Sequence, residues 1–200
     1  MIEFRAFADL CKSTDCNDRG HAAHLAALAY LNHSGPPDEH AALYCALINF
    51  LDDPSVKVRA ALAYGLLYSP EAPRPIMLAL LGDSPVISRA VLEYCPILVD
   101  ADLDPLARQG DLSAAVAIAQ RRPISRRVAT TLLGRNDRAL TLRILRRPDV
   151  ALDPKVLQSL AAAHGTEAEL RGALLARPEL PAQSRLVLVR IVAESLRQCR

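Results

Sequence analysis

Four side chains near the start of the chain have the types that bind a soft divalent cation. Cys11, Cys16, His21 and His24 follow the spacing C-x4-C-x4-H-x2-H, and thiolate with imidazole is the donor set of tetrahedral zinc sites. Four residues between the cysteines is the wide limit for such a pair. His21 and His24 also sit one turn apart on an expected helix, where a half-buried histidine pair needs no metal. A second constellation is electrostatic. Residues 1–107 hold 7 basic and 14 acidic side chains, whereas residues 108–147 hold 10 arginines against Asp111 and Asp137. Within that basic segment Arg121, Arg122, Arg126, Arg127, Arg138 and Arg143 are the candidate binding residues, since a surface of one sign focuses potential and attracts a partner of the other. The plainer alternative is local. Arg121, Arg122, Arg146 and Arg147 fall where helices should end, and a cation at a helix C-terminus contributes about 0.3–1 kcal/mol.

Patterns of bond-making chemistry are missing. The eight glycines form neither G-x-G-x-x-G nor a P-loop, and neither G-x-S-x-G nor H-E-x-x-H occurs. Leu81-Gly82-Asp83-Ser84-Pro85 has the outline of a hydrolase block, yet a helix stop, a cap and a proline start account for the same residues. Asp100, Asp102 and Asp104 alternate as in a cation loop, but the glycine and distant glutamate of an EF-hand are absent. The expectation is a chain with no enzymatic activity and no cofactor. Nucleic-acid binding through residues 108–147 is the alternative. A helical-repeat DNA glycosylase is a weaker one, because it needs aromatic side chains to stack on bases. The chain has no tryptophan, and its tyrosines (Tyr30, Tyr44, Tyr64, Tyr68, Tyr94) all precede the basic segment.

The elements that must carry these residues are helices. Hydrophobic residues make up 51% of the chain and aromatics only 4%, so alanine and leucine supply the core, and both favour helix. A proline recurs behind successive apolar runs at Pro70, Pro96, Pro123, Pro148 and Pro178. Proline disfavours helix at the residue before it and lacks the amide a helix would use, so each mark ends one helix. Asp53-Pro54, Ser84-Pro85 and Asp153-Pro154 place a capping side chain before a proline. Gly165 followed by Thr166-x-x-Glu169 has the form of a C-terminal glycine and a capping box. Asp53, Val56, Arg59, Ala60 and Leu62 recur as Asp83, Val86, Arg89, Ala90 and Leu92. Helices of about three turns are unstable alone and need neighbours to bury their apolar faces. The expected fold is therefore all-α: an α/α superhelix, or solenoid, of irregular HEAT-like helix pairs. Residues 1–52 would form a helical cap or degenerate repeats and residues 53–200 the repeats proper.

The stretch from Phe50 to Leu103, with the HAAHLAALAYL run before it and the AIAQRRPIS run after it, resembles a family of uncharacterised HEAT-like proteins common in alphaproteobacteria. The resemblance implies a fold class and supplies no catalytic residues. Members of that family are often longer. From Leu186 to Val192 every residue but Arg190 is apolar, so the last helix is expected to continue beyond Arg200 or to dock into a homo-oligomer. No run approaches the roughly 18 apolar residues of a membrane span, and the first residues lack a secretory pattern. Scattered cysteines then fit reduced thiols in a cytoplasm. The functional expectation is a protein-interaction scaffold or regulatory adaptor with an acidic protein partner.

Overall fold

The computed structural model describes residues 4–198. Among them thirteen helices and no strand occur. Contacts divide the chain into two compact units, residues 1–99 and 100–200. The division expected from sequence, between residues 52 and 53, instead falls between helices that pack together within the first unit.

The first unit holds α1 (Phe4–Lys12), α2 (Cys16–Leu31), α3 (Pro37–Leu51), α4 (Val56–Leu66), α5 (Arg74–Leu80) and α6 (Pro85–Tyr94). Helices pack on their sequence neighbours and on the next but one: α2 on α4, α4 on α6, α3 on α5. The α2–α4 interface is the most extensive among the described residues. Its cause is side-chain size, which sets how near two helix axes can come. Ala22, Ala23, Ala26 and Ala27 are fully buried. At Gly65 an added Cβ would lie 2.6 Å from the Cβ of Ala27 and 3.3 Å from the carbonyl oxygen of His24. Only hydrogen fits there. Leu47, Leu62, Leu66, Met77 and Leu80 complete the interior.

The second unit holds α7 (Asp100–Gln109), α8 (Leu112–Gln120), α9 (Arg126–Leu133), α10 (Arg138–Leu145), α11 (Pro154–His164), α12 (Ala168–Leu175) and α13 (Ala182–Gln198). The pattern repeats: α7 packs on α9, α8 on α10, α10 on α12 and α11 on α13, with successive contacts from α7 through α10 and from α11 through α13. Starts are signed by caps. Asp111, Ser125, Asp137 and Asp153 accept backbone amides of Ala114, Val128, Leu140 and Lys155 at 2.7–3.1 Å, each cap worth about 1 kcal/mol.

Three expected termini differ. At Asp53-Pro54, α4 starts later, with Ser55 in the cap position. Asp53 turns its carboxylate to the Ser55 amide, 2.8 Å away, and to an arginine. Ser84 occupies a cap position before Pro85 but makes no capping bond. The capping box at Thr166 does not form. Glu167 is the cap residue of α12, and its carboxylate is drawn off by His164 and Arg138. Gly165 does end α11, but with φ −61° rather than left-handed. It is glycine for space, because a Cβ would sit 2.6 Å from the carbonyl oxygen of Ala161.

Candidate functional site

Cys11, Cys16, His21 and His24 do not converge. Among the described residues no group of three or more His, Cys, Asp or Glu side chains is placed to hold a metal ion. The quartet fails because α1 and α2 spend its members separately. Cys11 is half-buried, and burial raises its thiol pKa. His21 is exposed. His24 lies against the ring of Tyr64, with centroids 5.7 Å apart.

The arginines of the basic segment divide by burial. Arg121 is only 7% exposed and Arg147 is equally enclosed, so Arg121 leaves the set of surface candidates. The positions just past α8, α10 and α12 face the interior, where a guanidinium meets backbone carbonyls. Arg147 donates from Nη1 to the carbonyl of Ala119 at 2.6 Å, and Arg177 donates from Nη1 to that of Arg147 at 2.7 Å and from Nη2 to that of Val150. The Ala119 carbonyl lies in the last turn of α8, where carbonyls lack intrahelical partners, whereas Arg177 reaches carbonyls of the turn that follows α10. Arg147 and Arg177 also pair with Asp149 and Glu179. Arg138 is exposed but paired with Glu167 and Glu169. Arg122, Arg126 and Arg143 are exposed and make no ion pair among the described residues.

Arg127 and Arg108 reach the same carboxylate, that of Asp104, at 3.4 and 3.3 Å. Asp104 is buried and accepts from the Thr131 hydroxyl at 2.6 Å. That hydroxyl first, and then Arg108, holds its pKa below the ordinary carboxylate range. Asp100 and Asp102 stand in the first turn of α7, where the helix dipole favours acids. The expected alternation thus serves two ends, a helix start and a pin between α7 and α9.

Above this pin lies a groove. Two hollows of about 340 and 320 Å³ share Thr130 and Gly134 at the end of α9. Arg108 and Arg135 line the first, and Lys155 and Ser159 of α11 line the second. Arg135 is fixed by donating from Nη1 to the carbonyls of Ala107 and Gly110 at 3.1 and 2.8 Å. The chain then turns at Asn136, whose φ of 55° is left-handed, a conformation asparagine tolerates better than most residues. No carboxylate lines either hollow among the described residues. The hydroxyl protons are engaged, Thr130 with the Arg126 carbonyl and Thr131 with Asp104. Three cations on one lining attract a group of negative charge. Sequence reading singled out none of Arg135, Lys155 or Arg108 individually. Their separation, 27 residues from Arg108 to Arg135 and 20 from Arg135 to Lys155, hides them until the residues of α7, α9 and α11 line shared hollows.

A second set of contacts was also missed. In α2, α4 and α6 an arginine precedes an aromatic residue by five positions: Arg19 and His24, Arg59 and Tyr64, Arg89 and Tyr94. The first two arginines tie neighbouring helices. Arg19 donates to Asp53 through Nε and Nη2 at 2.7 and 3.2 Å, and Arg59 to Asp83 at 2.6 and 2.9 Å. These bonds, more than any other cause, hold both carboxyls below their usual range. The aromatics form a row, with Tyr68 placed between Tyr64 and Tyr94 at 6.5 and 5.6 Å. The other two tyrosines gather elsewhere, Tyr30 beside Tyr44 and stacked on His40 at 4.3 Å. On α13, Leu186, Val187, Val189 and Leu196 are exposed.

By its architecture this is an all-helical protein, and no helix among the described residues is long and apolar enough to cross a membrane. The chain belongs to a bacterial family described as "Uncharacterised protein conserved in bacteria (DUF2336)", whose family model matches residues 87–199. The match begins within α6, in the C-terminal part of the stretch whose resemblance to an uncharacterised family is visible in the sequence. No curated protein matches the chain, and no solved structure does.

Proposed function

We propose that the chain is a non-catalytic cytoplasmic scaffold, a solenoid of HEAT-like helix pairs that docks an acidic segment of a partner protein in the groove of α7, α9 and α11. The next-but-one packing within each unit supports a progressive stack over a closed bundle. The observation that carries the docking reading is the groove lining, where Arg108, Arg135 and Lys155 stand with no carboxylate among the described lining residues, Arg108 reaching only Asp104 outside that lining. Arg108 is 63% exposed and held to Asp104 only at 3.3 Å, so the groove selects charge more than shape. A flexible run of carboxylates satisfies it better than one rigid anion.

Binding of a labelled glutamate-rich peptide to the full chain tests the reading. The double variant Arg108→Glu, Lys155→Glu should lose about tenfold or more in affinity, and its circular dichroism checks that the fold survives the loss of the Arg108–Asp104 pair, Asp104 keeping Arg127 and Thr131. Equal binding by the variant would refute groove docking. Retention on DNA or RNA that falls with salt at a log-log slope of about −0.9 per phosphate neutralised, and that glutamate peptide does not compete away, would favour nucleic acid instead.

A further inference from the structure

The groove leaves the first unit without a role, yet that unit carries the most unusual exposed surface. Tyr64, Tyr68 and Tyr94 are 64%, 60% and 47% exposed, and Tyr68 bridges the other two. Single exposed apolar residues are ordinary, but a contiguous aromatic patch marks an interaction site, and tyrosine is enriched where proteins bind. Tyr64 and Tyr68 stand one turn apart at the end of α4 with rings 86° from parallel. Tyr94 ends α6, which packs on α4. Tyr64 and Tyr94 are thus mounted on helices and Tyr68 on the turn just beyond α4, and two faces meet almost at a right angle.

We propose that this tyrosine row, with Glu93 at its edge, holds arginine or lysine side chains of an extended segment from a partner protein. Aromatic faces carry negative quadrupole charge and attract guanidinium and ammonium groups. Glu93 adds a full negative charge beside Tyr94 and raises that phenol's pKa. The unit as a whole has seven basic and eleven acidic side chains, and two of its arginines, Arg19 and Arg59, are already neutralised by Asp53 and Asp83. Charge complementarity thus selects a cationic occupant over a merely apolar one. The proposal shares the scaffold reading above but not its groove, because the two sites lie in different units with opposite charge.

The full chain is titrated with a short arginine-rich peptide and with the same peptide carrying neutral citrulline at each arginine. The chain has no tryptophan, so intrinsic emission reports tyrosine directly, and peptide anisotropy gives Kd. The arginine peptide should change tyrosine emission and bind about tenfold more tightly than the citrulline peptide. Tyr68→Leu with Tyr94→Leu should weaken it about tenfold, whereas Tyr68→Phe with Tyr94→Phe should retain binding because the ring faces remain. Equal affinity for the two peptides overturns the proposal, as does a leucine variant that binds like the original. Self-association that the leucine variant abolishes would also overturn it, by making a second copy the occupant. The glutamate-rich peptide run alongside separates the two readings: tyrosine variants should leave its binding intact, and Arg108→Glu, Lys155→Glu should leave the arginine peptide's intact.

Discussion

Both units tie neighbouring repeats with arginine, but to different partners. In the first unit the guanidinium meets a carboxylate, Arg19 with Asp53 and Arg59 with Asp83. In the second it meets backbone, Arg147 with the carbonyl of Ala119 and Arg177 with those of Arg147 and Val150. The first device is bidentate and fixes geometry as well as charge. It consumes one acid per arginine, so it leaves the unit's remaining acidic excess at the surface. The second supplies donors to the carbonyl of Ala119 in the last turn of α8 and to those of the turn that follows α10. Its acids are local rather than on a neighbouring repeat, Asp149 for Arg147 and Glu179 for Arg177, each two residues along the chain. Seventeen basic side chains stand against eleven acidic ones in that unit, and part of this excess is structural arginine hidden from solvent. Net charge alone therefore overstates the basic surface.

The contrast can be broken most forcefully at Arg177, which is 4% exposed. Arg177→Ala removes the side-chain donor of the Val150 carbonyl, one of two donors to the Arg147 carbonyl and the partner of Glu179, and the expected loss is about 3 kcal/mol, read by denaturant unfolding and by faster amide exchange in α10 and α12. A loss below about 0.5 kcal/mol would mean that the carbonyl rungs are incidental.

Next comes Gly65→Ala in the first unit. The new methyl meets Ala27 and the α2 backbone, which cannot give way as a flexible side-chain end would, so about 2 kcal/mol of overpacking is expected. Exchange protection should fall in α2 and α4. Protection that stays unchanged there would show that the two helices can move apart freely.

The smallest effect sharpens the comparison by pH. Asp83→Asn should cost about 1–2 kcal/mol at neutral pH, through the loss of charge-assisted bonds to Arg59. Because the carboxyl's pKa is depressed in the folded chain, its contribution is complete above the ordinary carboxylate pKa, near about 4. It fades as pH falls through the depressed value. Denaturation midpoints of the original chain and Asp83→Asn should therefore converge in acid. Arg177→Ala, whose lost bonds run mainly to carbonyls that do not titrate, should keep most of its deficit in acid and lose only the share of the Glu179 pair. A constant gap for Asp83→Asn would disprove the ion-pair account.

Much of the helical order was legible one residue at a time. Proline lacks an amide wherever it stands, and short polar side chains cap whichever helix follows, so Pro85, Pro154 and Asp153 mark starts in the sequence as they do in the fold. Abundant alanine foretold close packing. The Asp53/Asp83 and Arg59/Arg89 repetition was visible as well, though its use was not: Arg59 pairs with the aspartate of the following repeat, and nothing local says which neighbour lies within reach.

What only the tertiary structure decided depends on which surfaces meet. A sequence counts Arg121, Arg147 and Arg126 as equal charges, and burial makes the first two structural while the third remains exposed. Arg108, Arg135 and Lys155 form a groove because α7, α9 and α11 come together, and Tyr64 and Tyr94 form a row because α4 packs on α6. Composition and periodicity fixed the helices, since those obey short-range rules. Charge partners and shared surfaces depend on distances between residues far apart in the chain, and those distances exist only once the helices have packed.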